Sequence, residues 1–411
     1  MRKHHVAAAL VMALAMSGCA GQGAESEGGD KRTVLADYSH DEFASFFLDY
    51  FPGKVSVRPG DTVEFRQTWT GEAHSVTMGT LVDHMMSLVK PYKEAAERGE
   101  EIPDEEPPEV AKAFEELPWM FEDEGSVAQN AAVPCYLREG SPPKDANAPC
   151  EPNQRKQPAF DGRFSYYNSG FIPYTGAKGN IFRVKMAEDI KPGTYSYYCN
   201  LHGPFMSGDI EVKPKSASIP SQEQVNRQAR REIQQASAPL KDIFGLARKG
   251  KPVEVSEGVT IASPFSGLGA EKVEHAGINE FIPKTLKVKA GEKVSWKFVG
   301  YHTISFNVPR YFPIIETSSK TGKVTRNPKL DPPAGGAPKV ELPDFDAPKP
   351  EGPPQPKVVD AGTWNGKGFY SSGLIGSPPY LEWSLRITKP GKYRYACLVH
   401  PPMVGTLEVQ A

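Results

Sequence analysis

Two short segments concentrate the residues of this chain that can do chemistry. Residues 191–212 read KPGTYSYYCNLHGPFMSGDIEV and residues 389–409 read KPGKYRYACLVHPPMVGTLEV. In the first, Cys199 is followed by His202 and Met206; in the second, Cys397 is followed by His400 and Met403. Each half also carries an upstream histidine, His74 in HSVTM and His302 in HTISF. Two imidazoles and a thiolate with a weak axial thioether form the donor set that suits copper electron-transfer centres. The soft sulfur stabilises Cu(I), imidazole serves both oxidation states, and a long thioether bond leaves a geometry that changes little on reduction. A His three residues after a given Cys, with a Met three or four further on, arises by chance on the order of once in a thousand cysteines. Its occurrence twice, each time between matched strands, points to two type 1 copper sites: His74, Cys199, His202 and Met206, and His302, Cys397, His400 and Met403.

The elements that must position these residues are strands. A Lys-Pro-Gly turn opens each Cys-bearing segment, and alternation then puts Tyr195, Tyr197 and Cys199 on one face, as it does Tyr393, Tyr395 and Cys397. A tight turn returns the second histidine to the same point, and a closing strand follows. Upstream, FPGKVSVRPGDTVEF and IPKTLKVKAGEKVSWKF each read as two alternating strands around a turn, leading to His74 and His302. YNSGFI at 167–172 and YSSGLI at 370–375 form a third matched pair. The chain is therefore expected to be all-β, with one antiparallel sandwich used twice.

Both halves resemble cupredoxins, the plastocyanin and amicyanin family of blue copper proteins. The span from Cys397 to Met403 is similar to the short amicyanin-type loop, and that from Cys199 to Met206 is one residue longer. The resemblance covers about 80 residues per half and implies Greek-key sandwiches, type 1 copper at one end, and electron transfer. The family often has Asn after its first histidine to brace the ligand loop, where this chain has Ser75 and Thr303. It also implies that the C-terminal histidine lies near the surface as the electron port, here His202 beside Pro204 and Phe205, and His400 beside Pro401 and Pro402.

Around these units, 1–18 is expected to be a signal peptide, 19–32 a tether, 33–214 the first domain, 215–250 a helical linker and 251–411 the second domain. The first domain carries an insertion at about 80–158, with helices over Thr80 to Arg98 and Pro108 to Leu117. The second carries a proline-rich insertion at about 308–358, expected to be irregular. In the linker, Ser221 with Gln224 forms a capping box, and a second short helix is expected to start at Pro239.

Five cysteines are present. Met16-Ser17-Gly18-Cys19 after an apolar stretch resembles a bacterial lipobox, implying lipid on Cys19 and an extracytoplasmic, envelope-anchored protein. Cys135 and Cys150 read as a disulfide of an oxidising compartment. Net charge is -2, which offers no field for nucleic acid. The expected partners are redox proteins, with the membrane reached through the lipid alone. The acidic run EEIPDEEPPE at 100–109 reads as a solvated loop, or as a docking patch for a basic partner. His84-Met85-Met86 reads as helix packing, with copper storage as the sharper alternative.

Copper enzymes of this kind need further histidine-bound copper, often from His-X-His pairs. Of nine histidines, His40, His84 and His275 remain beyond the copper sets and the N-terminal pair, and no His-X-His occurs. The chain is therefore expected not to be an enzyme. A copper buffer or delivery protein, or an oxidoreductase with a type 2 site from those three histidines, are the alternatives.

Overall fold

The computed structural model describes residues 29–411 apart from 69, 99, 101–106, 119–120, 123–125, 146, 173–179, 257, 270–272, 274, 310–312, 319, 331–355 and 377–379. The expected signal peptide, Cys19, most of the tether, the centre of the acidic run and most of the proline-rich insertion lie outside the described residues.

The fold is all-β, with a two-sheet sandwich in each half. In the first, a four-stranded sheet runs in the order Ile181–Lys185, Thr62–Gln67, Lys31–Ala36, Tyr50–Phe51. It faces a six-stranded sheet ordered Lys54–Val57, Gly203–Val212, Gly193–Cys199, Thr77–Met78, Tyr166–Asn168, Cys135–Leu137. Alternation of apolar residues buries one face of each, around Val34, Val63, Phe65, Tyr197 and Ile210. In the second half, a five-stranded sheet is ordered Thr285–Lys289, Val404–Gln410, Gly391–Ala396, Ser305–Phe306, Tyr370–Ser371. It encloses Trp296, Trp383 and Tyr395 against a six-stranded sheet. Local bonds recur in both halves: Tyr195 and Tyr393 each donate to the carbonyl four residues back, at 2.9 Å. His74 bridges Ile172 as His302 bridges Ile375.

The six-stranded sheet of the second half begins with a strand from the first. Ser45–Phe47 pairs antiparallel with Ala276–Ile282, ahead of Phe265–Leu268, Lys293–Phe298, Leu381–Ile387 and Lys357–Trp364. Three residues carry no readable period, so this strand was not expected.

The linker forms one helix, Gln222–Arg248, rather than two. Ser221 and Gln224 form the expected capping box. Pro239 sits inside the helix, but Val225, Ala229, Ile233, Ser237, Leu240, Phe244 and Ala247 are all buried along one uninterrupted stripe. Packing of that stripe on Phe43, Phe47, Phe51 and Ile278 outweighs the lost backbone bond.

The first insertion contains helices Thr80–Glu97 and Pro108–Phe114 and a Cys135–Cys150 disulfide. Met85 and Met86 are fully buried against this cluster, while His84 is exposed. The described part of the second insertion includes a hairpin, Ile315–Thr317 with Val324–Arg326, where an irregular loop was expected. The reason is a clasp between insertions: the Gln129 side chain donates to the Val324 carbonyl at 2.7 Å and accepts from its N–H at 2.9 Å.

Candidate metal centres

In each half the hairpin carrying the cysteine meets the strand carrying the upstream histidine. In the first, Nδ1 of His74 and Nδ1 of His202 are 3.1 Å apart, and Sγ of Cys199 is 3.6 Å from the latter. In the second, His302 Nδ1 and His400 Nδ1 are 3.0 Å apart, with Cys397 Sγ 3.4 Å from His400 Nδ1. Such separations belong to atoms that can share one ion with bonds of about 2.0–2.3 Å. Met206 and Met403 are buried in the same apolar clusters as Cys199 and Cys397 respectively. Among the described residues these are the two groups of His, Cys, Asp or Glu that converge in this way. His40, His84 and His275 do not assemble; His40 stacks on Phe43 and His275 on Phe205.

The sulfurs are prepared as thiolates. Burial alone would raise the Cys199 thiol, but His202 and His74 hold it well below the usual range; His400 and His302 do the same for Cys397. The N–H of Ser75 points at Cys199 Sγ at 3.3 Å, and that of Thr303 at Cys397 Sγ at 3.4 Å. Ser75 Oγ accepts from the Asn200 N–H at 2.8 Å, and Thr303 Oγ1 from the Leu398 N–H at 2.8 Å. Each hydroxyl therefore clamps the residue after the cysteine and braces the loop. Helix Thr80–Glu97 stiffens the first loop from outside, with Lys93 Nζ donating to the Phe205 carbonyl at 2.8 Å.

The ring nitrogens turned away from the clusters are also held. Nε2 of His74 lies 3.1 Å from Asp37 Oδ2, both side chains being fully buried. Burial would lower the His74 pKa, but Asp37 and Cys199 raise it to about 10. His302 has a carbonyl instead, Val299 O at 3.1 Å, and burial pushes its pKa down. His400 Nε2 meets Glu72 Oε1 of the other half at 3.1 Å. Against the lowering effect of burial, Cys397 and Glu72 raise His400 to about 10. Glu72 is itself held down at about 2: burial opposes this, but His400, His202 and His74 prevail. Carboxylates behind ligand imidazoles fix ring orientation and tautomer and strengthen the ligand.

Asp37 and Glu72 were absent from the sequence reading. One signal was present: Gly71-Glu72-Ala73 leads to His74 where only Gly300-Tyr301 leads to His302. The expected surface position of His400 is also corrected. Its side chain is 2% exposed against 13% for His202, because the loop bearing Glu72 covers it.

No family model matches the chain, and no curated protein matches it. Solved structures similar to it include the plastocyanin of Dryopteris crassirhizoma, at 18% identity over 33% of this chain and 91% of that one, with a TM-score of 0.17. A Cu-containing nitrite reductase from Thermus scotoductus is similar at 11% identity over 94% of this chain and 68% of that one, TM-score 0.19. A multicopper oxidase, mgLAC, is similar at 11% identity over 93% and 87%, TM-score 0.18. The expectation that the chain is not an enzyme does not stand, because copper enzymes are among these similar structures. That expectation counted His-X-His pairs along the chain, and local spacing does not limit which groups two packed halves bring together, as Glu72 and His400 show.

Proposed function

We propose that the chain binds copper at both clusters, with Met206 and Met403 completing the two donor sets, and passes single electrons between redox proteins outside the cytoplasm, tethered by lipid on Cys19. One observation carries this reading: in each half two imidazole Nδ1 atoms and a thiolate-prone sulfur converge in a buried site. Copper, when bound, supplies a one-electron couple. The residues supply the rest. Ser75 and Thr303 hold the loops still, so that the donors need little rearrangement between oxidation states. Their backbone N–H groups offset charge on sulfur, and the aromatic layers around Tyr197 and Tyr395 exclude water. Asp37 and Glu72 keep their imidazoles oriented with Nδ1 facing the cluster.

The test is copper content and visible spectrum of the purified chain lacking residues 1–19. Two copper ions per chain with an intense blue absorption are expected. A colourless protein loaded with Cu(II) overturns the reading.

A further inference from the structure

Glu72 stands between the two clusters. Its Oε1 is 3.1 Å from His400 Nε2 and its Oε2 is 4.0 Å from His202 Nε2. One carboxylate thus faces a ligand ring of each half, at the atom opposite the nitrogen that faces the donor cluster. The loop that delivers it is shaped for this contact. Gly71 has φ +114° and lies so close to the His400 ring and the Val399 carbonyl that a side chain there would collide with both. Gln67 Nε2 donates to the Glu72 carbonyl at 2.5 Å. Thr70 Oγ1 accepts from the Glu72 N–H at 3.3 Å and donates at 2.5 Å to Asp37 Oδ2, which also holds His74. A carboxylate only 18% exposed and wedged between two rings needs compensating partners. Here the imidazoles of both halves supply them.

Resting on the copper reading above, we propose that Glu72 links the two centres for electron exchange within one chain, making them a coupled pair rather than two independent carriers. In each exchange one centre is oxidised by one electron and the other is reduced by that same electron. Glu72 remains a carboxylate accepting from imidazole N–H throughout, and no proton moves. His400, covered by the first half, is then an internal port, and His202 keeps the more open edge.

The test uses the copper-loaded full chain, fully oxidised, given less than one electron per molecule by a pulsed radical reductant. Redistribution between centres is followed by absorbance and by rapid-freeze EPR, with the two signals assigned from the Cys199→Ser and Cys397→Ser variants. The wild type is expected to redistribute in a first-order phase independent of protein concentration. Glu72→Ala should slow that phase at least tenfold while both blue bands remain, and Glu72→Gln, which keeps one acceptor, should slow it less. Both variants should raise the reduction potential of the His400 centre, a change that a purely structural role does not produce. A redistribution rate that scales with protein concentration, or one unchanged in Glu72→Ala, overturns the proposal. Should Glu72→Ala lose copper, the isosteric Glu72→Gln decides: unchanged rate and potential overturn it. A colourless wild type overturns the copper reading and this proposal together, whereas a blue wild type with uncoupled centres overturns the proposal alone.

Discussion

Glu72 and His400 are separated by 328 positions in the chain and by 3.1 Å in space. That contact makes the two clusters electrostatically unlike. In the first, the carboxylate of Asp37 backs the upstream histidine; in the second, Glu72 backs the histidine of the Cys loop, and His302 has only a carbonyl. An anion behind a ligand favours the more highly charged metal state, so two donor sets of the same composition need not share a potential.

Replacing either thiolate should remove one centre and spare the other. Cys199→Ser and Cys397→Ser are each expected to abolish about half of the blue absorption and one copper ion, since the sulfur is the donor that gives the band. Copper analysis beside the spectrum checks this. Loss of both centres from one substitution would mean that the sites are not separate.

Asp37→Asn removes the charge behind His74 while an amide oxygen can still accept the N–H of Tyr38 and of Phe47. Cu(II) affinity of the first centre should fall roughly tenfold to a hundredfold, the usual effect of losing such a partner. The second centre, reached only through Thr70 and Glu72, should change far less. Chelator competition, read on the Cys397→Ser and Cys199→Ser backgrounds, separates the two.

Gly71→Ala meets both a left-handed backbone and a collision with the His400 ring. The expected cost is about 1–3 kcal/mol in denaturant unfolding. The spectrum of the second centre should shift while that of the first holds. Wild-type stability in this variant would show that the loop does not press on His400.

Asp83, in the first turn of helix Thr80–Glu97, accepts from the Ser196 N–H at 2.8 Å on the strand that leads to Cys199. Burial raises its pKa from 3.8 to about 6, with the Ser196 bond and Lys90 opposing. A carboxyl whose folded pKa lies above its unfolded value binds its proton more tightly when folded. The stability that Asp83 contributes is therefore greatest below pH 4, declines as pH rises through about 6, and is level above that. The loss amounts to about 3 kcal/mol at most. Asp83→Asn should flatten this dependence and raise the melting temperature more at pH 8 than at pH 4. Thermal unfolding across that range is the measurement.

What was legible in the sequence is what repeats locally. Cys199 and His202, or Cys397 and His400, lie three residues apart, so one turn brings them together and the spacing records it. Alternation in Lys293–Phe298 or Gly391–Ala396 likewise records which side of a strand is buried. Asp37 and Glu72 are ordinary acidic residues by any local measure. Their role exists only because Thr70 Oγ1 ties the two loops together and the second half closes over Gly71. Pro239 misled for the converse reason. Its local preference is strong, but the buried stripe from Val225 to Ala247 belongs to both halves at once.

Strand Ser45–Phe47 gives the first half a hand inside the second. Beside it, Asn279 N–H bonds to the Ala44 carbonyl at 2.8 Å and Leu48 N–H to the His275 carbonyl at 2.6 Å. A protease that severed the helix between the halves would therefore liberate neither. The cut pieces would stay together as one particle, because parting them would strip Ala276–Ile282, buried along its whole length, of its neighbour. The molecule can be nicked in two but not dealt out as two working parts.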